Sequence, residues 1–425
     1  MKALKLSFLL IMLQLFVFPQ NNPWQKLNIE SPPARSYATL VEIDSSYYLY
    51  GGESQDKSPE INQNKSKNFL NDLWVYTSEV NWELKNPTGD LPQGRRYHAS
   101  TQKDGKLYVF GGEIEAGTTT DCWEYDPEGN TWYQLPFGGE NPKHFHRACT
   151  GENKIWITGG LDLTTGSATG AIWGYDPLNQ IWTQGSDCPS PRYGHIAYCF
   201  DGKVNIIAGR QGDNLLDDAW EYDITFDTWT QKSIPPYPEP TKFAGFDNMD
   251  DKLYTAGGYI KSEGNYELSS EAYTFDEIDF NWRTHSPVPP SISEVGICLR
   301  REMMEDWTLD FKVFVYGIAD NGKGSYVGET WVYHSADDPL TDVSDTFKND
   351  NIVVHPTITN GKVHITSEIF FQEVEVHNIQ GKLIQTNKLN GNKCTIDLNG
   401  NMKGIYFVKV KQNNRYSTHK LILTQ

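Results

Sequence analysis

The stretch Lys106-Leu-Tyr-Val-Phe-Gly-Gly112, followed by Asp121-Cys-Trp-Glu-Tyr125 and a second tryptophan at Trp132, decides the fold. An apolar run ends in a glycine pair, where the backbone gains access to positive φ. An acid-x-aromatic-x-Tyr segment then alternates with period two, as a half-buried strand does. The unit recurs as Asp72-Leu-Trp-Val-Tyr76, Asp218-Ala-Trp-Glu-Tyr222, Glu271-Ala-Tyr-Thr-Phe275 and Glu329-Thr-Trp-Val-Tyr333, and without its acid as Ala171-Ile-Trp-Gly-Tyr175. The later tryptophans are Trp82, Trp132, Trp182, Trp229 and Trp282. The glycine-ended runs are Tyr50-Gly-Gly52, Phe110-Gly-Gly112, Thr158-Gly-Gly160, Ala208-Gly-Arg210, Ala256-Gly-Gly258 and Tyr316-Gly-Ile318, their first glycines 60, 48, 50, 48 and 60 residues apart.

Each unit reads as four short strands. Asp104-Gly105 and Asp201-Gly202 are hairpin signals between the first strand and the second. Four strands per repeat of this length is the arithmetic of a propeller blade. The sixth unit lacks its second tryptophan, and Pro23-Trp24-Gln-Lys-Leu27 supplies a matching strand at the other end of the chain. The scheme uses all of the tryptophans except Trp156 and Trp307 and assigns them to packing between blades. The glycine pair, the spaced Tyr and Trp, and the Arg/His approach to the first strand resemble the kelch repeat over about Trp24–Ser335. The expected fold is all-β: a six-bladed kelch-type β-propeller closed by an N-terminal outer strand, followed by a small antiparallel β-sandwich.

The chain has 425 residues, and with 13% aromatics it carries enough apolar area to offset chain entropy, which excludes intrinsic disorder. Its net charge of −18 argues against a nucleic-acid partner. The charge divides unevenly. Asp350–Gln425 holds 9 Lys/Arg against 5 Asp/Glu (+4), leaving −22 for the rest, and every Trp precedes Val332. Two differently composed regions imply two domains. Lys2 and Lys5 precede the apolar run Leu6–Phe18, which is short for a membrane span and fits a signal peptide over 1–20. The propeller is assigned to 21–336, a polar linker to 337–349 and the second domain to 350–425. That domain reads as short alternating strands at Gly361–Ile365, Glu373–His377, Gly381–Ile384, Cys394–Leu398, Gly404–Val410 and Lys420–Leu423. Its motif segments at Asn360–Ile365, Val376–Leu383, Ile396–Leu398, Lys403–Val410 and Lys420–Leu423 look like the type IX secretion C-terminal sorting domain of Bacteroidota. The family's Pro-Asn-Pro opening is here Val354-His-Pro356-Thr. The resemblance implies type IX machinery as a partner and a secreted or outer-membrane surface-attached product. No transmembrane segment is expected. The six cysteines show no framework spacing and support no disulfide assignment.

Loops leading into first strands and out of second strands share one mouth of a propeller. The candidate ligand-binding residues there are Arg35, Arg96, His98, His146, Arg147, Arg192, His195 and Arg210. Arg210 stands out because it occupies the place read for a second glycine. Lys57, Lys65 and Lys67 lie in the longest outbound loop. A partly basic mouth on an acidic body favours a carboxylate or anionic sugar. The regular acids Asp72, Asp121, Asp218, Glu271 and Glu329 read as Asx-type acceptors of backbone N–H groups. Nucleophile, P-loop, zinc and EF-hand patterns are missing from the sequence, so no catalytic residue, cofactor or metal is assigned. The expected function is an exported interaction protein recognising a protein or glycan. The alternative is a carbohydrate-active kelch enzyme, resembling sialic-acid mutarotases or, less closely, copper galactose oxidases.

Overall fold

The computed structural model describes residues 23–54, 68–136, 144–151, 153–249, 251–288, 292–303, 309–319, 328–334, 353–355, 358–359, 361–378, 383–412 and 415–424. The expected signal peptide, Lys57, Lys65, Lys67 and the expected linker fall outside these residues. Every regular element described is a β-strand.

Repeat one forms a four-stranded antiparallel sheet from Thr39–Ile43, Ser46–Tyr50, Leu73–Thr77 and Asn81–Lys85, hydrogen-bonded in chain order. Repeats three, four and five repeat this order. Repeat two adds a fifth strand, Thr88–Gly89, parallel to Thr131–Leu135. In the last sheet the order is Trp24–Lys26, Glu329–His334, Leu309–Ala319, Ile292–Met303. The N-terminal strand therefore occupies the fourth position there, with Trp24 opposite Tyr333. Asp104-Gly105 and Asp201-Gly202 turn with positive φ at both residues, as such hairpins require.

Burial follows strand position. The second strands Ser46–Tyr50 and Lys203–Ile207 are buried at four of five residues, and the fourth strands are largely exposed. The motif's aromatics meet across the third and fourth strands. Tyr76–Trp82, Tyr125–Trp132, Tyr175–Trp182, Tyr222–Trp229, Phe275–Trp282 and Tyr333–Trp24 are directly paired, with ring centroids 4.9–5.6 Å apart. Such cross-strand pairs stabilise a sheet by roughly 0.2–1 kcal/mol each. The same tryptophans also stitch repeats together. Trp182 donates its indole N–H to Pro136 O (3.1 Å), Trp229 to Ser186 O (2.6 Å), Trp282 to Pro235 O (3.2 Å) and Trp24 to Ser286 O (3.0 Å). Trp82 reaches Thr330 Oγ1 at 2.8 Å, joining repeat one to repeat six.

The C-terminal strands form one hydrogen-bonded network. Val353–His355, Lys362–Asn378, Gly404–Gln412 and Arg415–Leu423 follow one another antiparallel, and Leu383–Asp397 also pairs with Lys362–Asn378. The expected purely antiparallel arrangement needs one correction: Ile358–Thr359 runs parallel to Ile422–Leu423. Alternate residues Val363, Ile365, Val374, Val376, Val408 and Val410 are buried in a core of their own.

Candidate functional site

Arg35 is 1% exposed and Arg192 is 1% exposed, so neither guanidinium faces a ligand. The Arg35 guanidinium forms a fork with the Asp72 carboxylate at 2.6 and 2.8 Å and also donates to Gly51 O and Pro33 O. Arg95 does the same with Asp121 (2.7 and 2.8 Å), Gly111 O and Gln93 O. Arg192 pairs with Asp218 at 2.9 Å and donates to Ala208 O and Ser190 O. In each case the acid also accepts the indole N–H two residues on, from Trp74, Trp123 or Trp220. The arginine thus fixes the approach loop, the glycine turn and the third strand at once. Burial opposes the charge on Arg95, but the hydrogen-bonded Asp121 outweighs it. Burial likewise opposes the Asp121 carboxylate, yet Arg95 holds it below the usual range.

This corrects the reading of the acids. Asp72, Asp121 and Asp218 accept guanidinium and indole donors. The Asx-type turns sit one motif later, where Asp126, Asp176, Asp223 and Asp276 accept backbone N–H groups between third and fourth strands. The usable signal was co-occurrence: repeats one, two and four have both the loop arginine and the acid, while repeat three has Ala171 in place of the acid.

The histidines are also framework groups. His98 meets Thr39 Oγ1 through Nε2 (2.9 Å), His146 donates from Nε2 to Phe110 O (3.0 Å), and His195 meets Thr158 Oγ1 (2.7 Å). Each pins its own repeat to the preceding one, and all are at most 2% exposed. Burial is the main cause holding His98 and His195 well below their usual pKa near 6.5, with the nearby arginines adding to it. The unfolded chain therefore binds more protons than the folded one once pH falls below about 6.5. The stability that the neutral rings confer is full above that pH and is lost as pH drops through it. The unfolding free energy from urea melts at pH 8 to 5 should fall with a slope approaching about 1.4 kcal/mol per pH unit for each histidine. His195→Gln should remove one proton's worth of that slope; an unchanged slope would show that His195 titrates alike in both states.

Arg210 does not occupy a glycine position. The antiparallel bridge Tyr193↔Arg210 matches Ser36↔Glu53, Arg96↔Glu113, His144↔Leu161 and Lys242↔Tyr259. Arg210 is thus the residue after the turn. The departure from the rule is Ala208, whose φ of 56° stands where Gly51, Gly111, Gly159 and Gly257 have 55–67°. The bridges also bring each approach loop onto the start of an outbound loop, on one face.

That face holds a feature the sequence reading missed. Tyr37, Tyr97, Phe145, Gly194 and Phe243 occupy the same place in successive approach loops, all in the left-handed region with φ 58–62°. Aromatic residues there are uncommon and strained, and such strain gathers at functional sites. Phe145 N donates to Tyr97 O (3.3 Å), Gly194 N to Phe145 O (3.0 Å) and Phe243 N to Gly194 O (2.7 Å), a head-to-tail run of amides. The rings gather above it: Tyr37–Tyr97 4.3 Å, Tyr97–Phe145 4.2 Å, Phe145–Phe243 4.6 Å. Gly194 is required, because a Cβ there would lie 2.4 Å from the Phe243 ring. The signal was an aromatic two residues after the loop Arg in Arg35-Ser-Tyr37 and Arg95-Arg-Tyr97.

Cations lie over these rings. The Arg96 guanidinium sits 4.3 Å from the Tyr97 centroid and 5.1 Å from Phe69, while pairing with Glu53 and Glu113. Arg210 and Lys242 share Tyr266, at 5.1 and 3.9 Å, with Lys242 also over Phe243 and Tyr259. Arg210 is steadied by Asp213 at 3.0 Å. A groove of about 360 Å³ opens beside it, lined by Asp213, Leu215, Glu239, Pro240, Ile260 and Lys261. Arg147 is half-buried, donates to His195 O at 2.9 Å and faces Phe246. The structure therefore brings Arg96 and Arg210 to the aromatic face and places Arg35, Arg192, His98, His146 and His195 in the framework. Among the described residues no three His, Cys, Asp or Glu side chains gather as metal ligands, and no helix is long and apolar enough to cross a membrane.

Residues 11–188 match the KLHDC2/KLHL20/DRC7 Kelch-repeats domain, residues 191–236 the Kelch motif, and residues 353–424 the Secretion system C-terminal sorting domain. Similar proteins include Kelch-like protein 23 of Homo sapiens, 25% identical over 66% of this chain and 47% of that protein. Beta-scruin of Limulus polyphemus is 24% identical over 64% of this chain and 24% of its own length. Host cell factor 1 of Rattus norvegicus is 24% identical over 59% of this chain and 14% of its own. The chain spans about half the length, or less, of these relatives. It is a kelch-repeat protein. Its C-terminal sorting domain indicates export through the type IX secretion system, to the medium or the cell surface.

Proposed function

We propose that this is an exported interaction protein that recognises a protein or glycan at its aromatic, cation-bearing mouth. In this reading residues 1–20 are a cleaved signal, 21–336 a closed six-bladed propeller, 337–349 a linker and 350–425 the sorting domain. Closure is supported by the first strands, which neighbour one another in cyclic order, with Thr39–Ile43 beside both Ala99–Lys103 and Ile292–Met303. The observation that carries the function is the cluster of Tyr37, Tyr97, Phe243 and Tyr266 beneath Arg96, Arg210 and Lys242. Flat rings offer contact area at little entropic cost, and the cations favour a ligand with carboxylates.

The test is capture of ligands from arrays of neutral and acidic glycans and of exported proteins, comparing the exported protein with Arg210→Ala/Tyr266→Ala. Removing a central aromatic and its cation should weaken binding at least tenfold, the range of an interface hot spot. The melting temperature should stay unchanged, because neither side chain belongs to the framework. Full binding by the double variant would overturn the assignment.

A further inference from the structure

We propose that Cys149 and Cys199 are joined by a disulfide in the exported protein, cross-linking the first strands of repeats three and four. The two residues stand in one packing cluster, Cys199 against Cys149, Trp156, Ile172, Val204 and Tyr222. Repeat symmetry fixes their relation. Thr101 follows His98 by three residues and Thr150 follows His146 by four, and their hydroxyl oxygens lie 3.0 Å apart across the junction of repeats two and three. Cys149 follows His146 by three residues and Cys199 follows His195 by four. The cysteines therefore occupy, at the next junction, the two positions whose γ-atoms touch at the previous one. Neighbouring strands with touching γ-atoms meet the requirement of short Cβ separation for a disulfide. Cys122, Cys188 and Cys394 lie apart, in different clusters.

Both residues are thiols in this structure. Burial first, and then the hydrogen-bonded Cys199 thiol, push the Cys149 thiol well above its usual range. A thiol so held reacts slowly once the fold is complete. Oxidation therefore belongs to folding after the first membrane crossing, where disulfides form and persist. The oxidant is a thiol oxidoreductase carrying a disulfide. One Cys thiolate attacks that disulfide, giving a mixed disulfide, and the second thiolate displaces the enzyme. One S–S bond breaks and one forms, and the enzyme leaves as a dithiol with the two electrons and two protons.

The test is peptide mapping of the protein purified from its export route, denatured with an alkylating agent and no reductant. The account predicts one cross-linked peptide pair spanning Cys149 and Cys199, both unalkylated until reductant is added. It also predicts that reductant lowers the melting temperature of the exported protein. That shift should vanish in Cys149→Thr/Cys199→Thr, which rebuilds the Thr101–Thr150 pair and so keeps the fold. Alkylation of both residues without reductant, or pairing of either with another cysteine, would overturn the proposal.

Discussion

Arg95→Ala should lower the unfolding free energy by about 3–5 kcal/mol, the cost of breaking a buried ion pair from one side. Arg95 is fully buried and donates to Gln93 O, Gly111 O and both oxygens of Asp121. Its removal leaves the partly covered Asp121 carboxylate without its guanidinium partner, with the Trp123 indole at 2.6 Å and the Thr119 hydroxyl still beside it. It also removes the guanidinium donor from Gly111 O in the glycine turn. Arg95→Lys should recover only a minor part, because an ammonium cannot present the planar fork that spans these acceptors. The effect should persist at high salt, as buried pairs are weakly screened. Denaturant midpoints at low and high ionic strength check this. A loss under 1 kcal/mol would mean that the pair is a surface contact without structural weight.

Trp24→Ala should cost about 3–5 kcal/mol, the range for truncating a large buried aromatic. Trp24 is 3% exposed, packs on Tyr333 at 5.0 Å and shares a core with Tyr254, Ala256, Ala272 and Val288. Its indole donates to Ser286 O of the preceding repeat. The substitution thus removes the cross-strand pair of the last sheet and its link to repeat five together. Hydrogen exchange should show Glu329–His334 losing protection first. If Trp24→Ala leaves both the midpoint and that exchange unchanged, the N-terminal strand does not hold the last sheet in place.

The repeat architecture was legible because its signals are local. Glycine turns, Tyr–Trp alternation and Asp-Gly hairpins each act within a few residues, and Trp24 could be placed by likeness to Trp82 and Trp132. Much of the candidate site was not legible in this way. Arg35 and Arg192 read as ligand candidates, and Arg95 is passed over for its neighbour Arg96, because a basic residue in a loop is ordinarily solvated. Their partners Asp72, Asp121 and Asp218 are distant in sequence at spacings that vary with loop length. The ring of Tyr37, Tyr97, Phe145 and Phe243 depends on left-handed backbone at non-glycine residues, which composition and periodicity do not reveal. Arg210 was misaligned by one residue because Ala208 adopts a glycine's conformation.

The most direct test of the mouth as the interaction face is a hydrogen–deuterium exchange footprint of the exported protein with its captured ligand at saturation. The account predicts protection concentrated in the approach loops around Tyr37, Tyr97 and Phe243 and in the hairpins Arg210–Leu215 and Tyr259–Leu268, with the fourth strands unchanged. Protection confined to the exposed fourth strands, such as Asn81–Lys85 or Ile181–Gly185, with none in those loops, would contradict it.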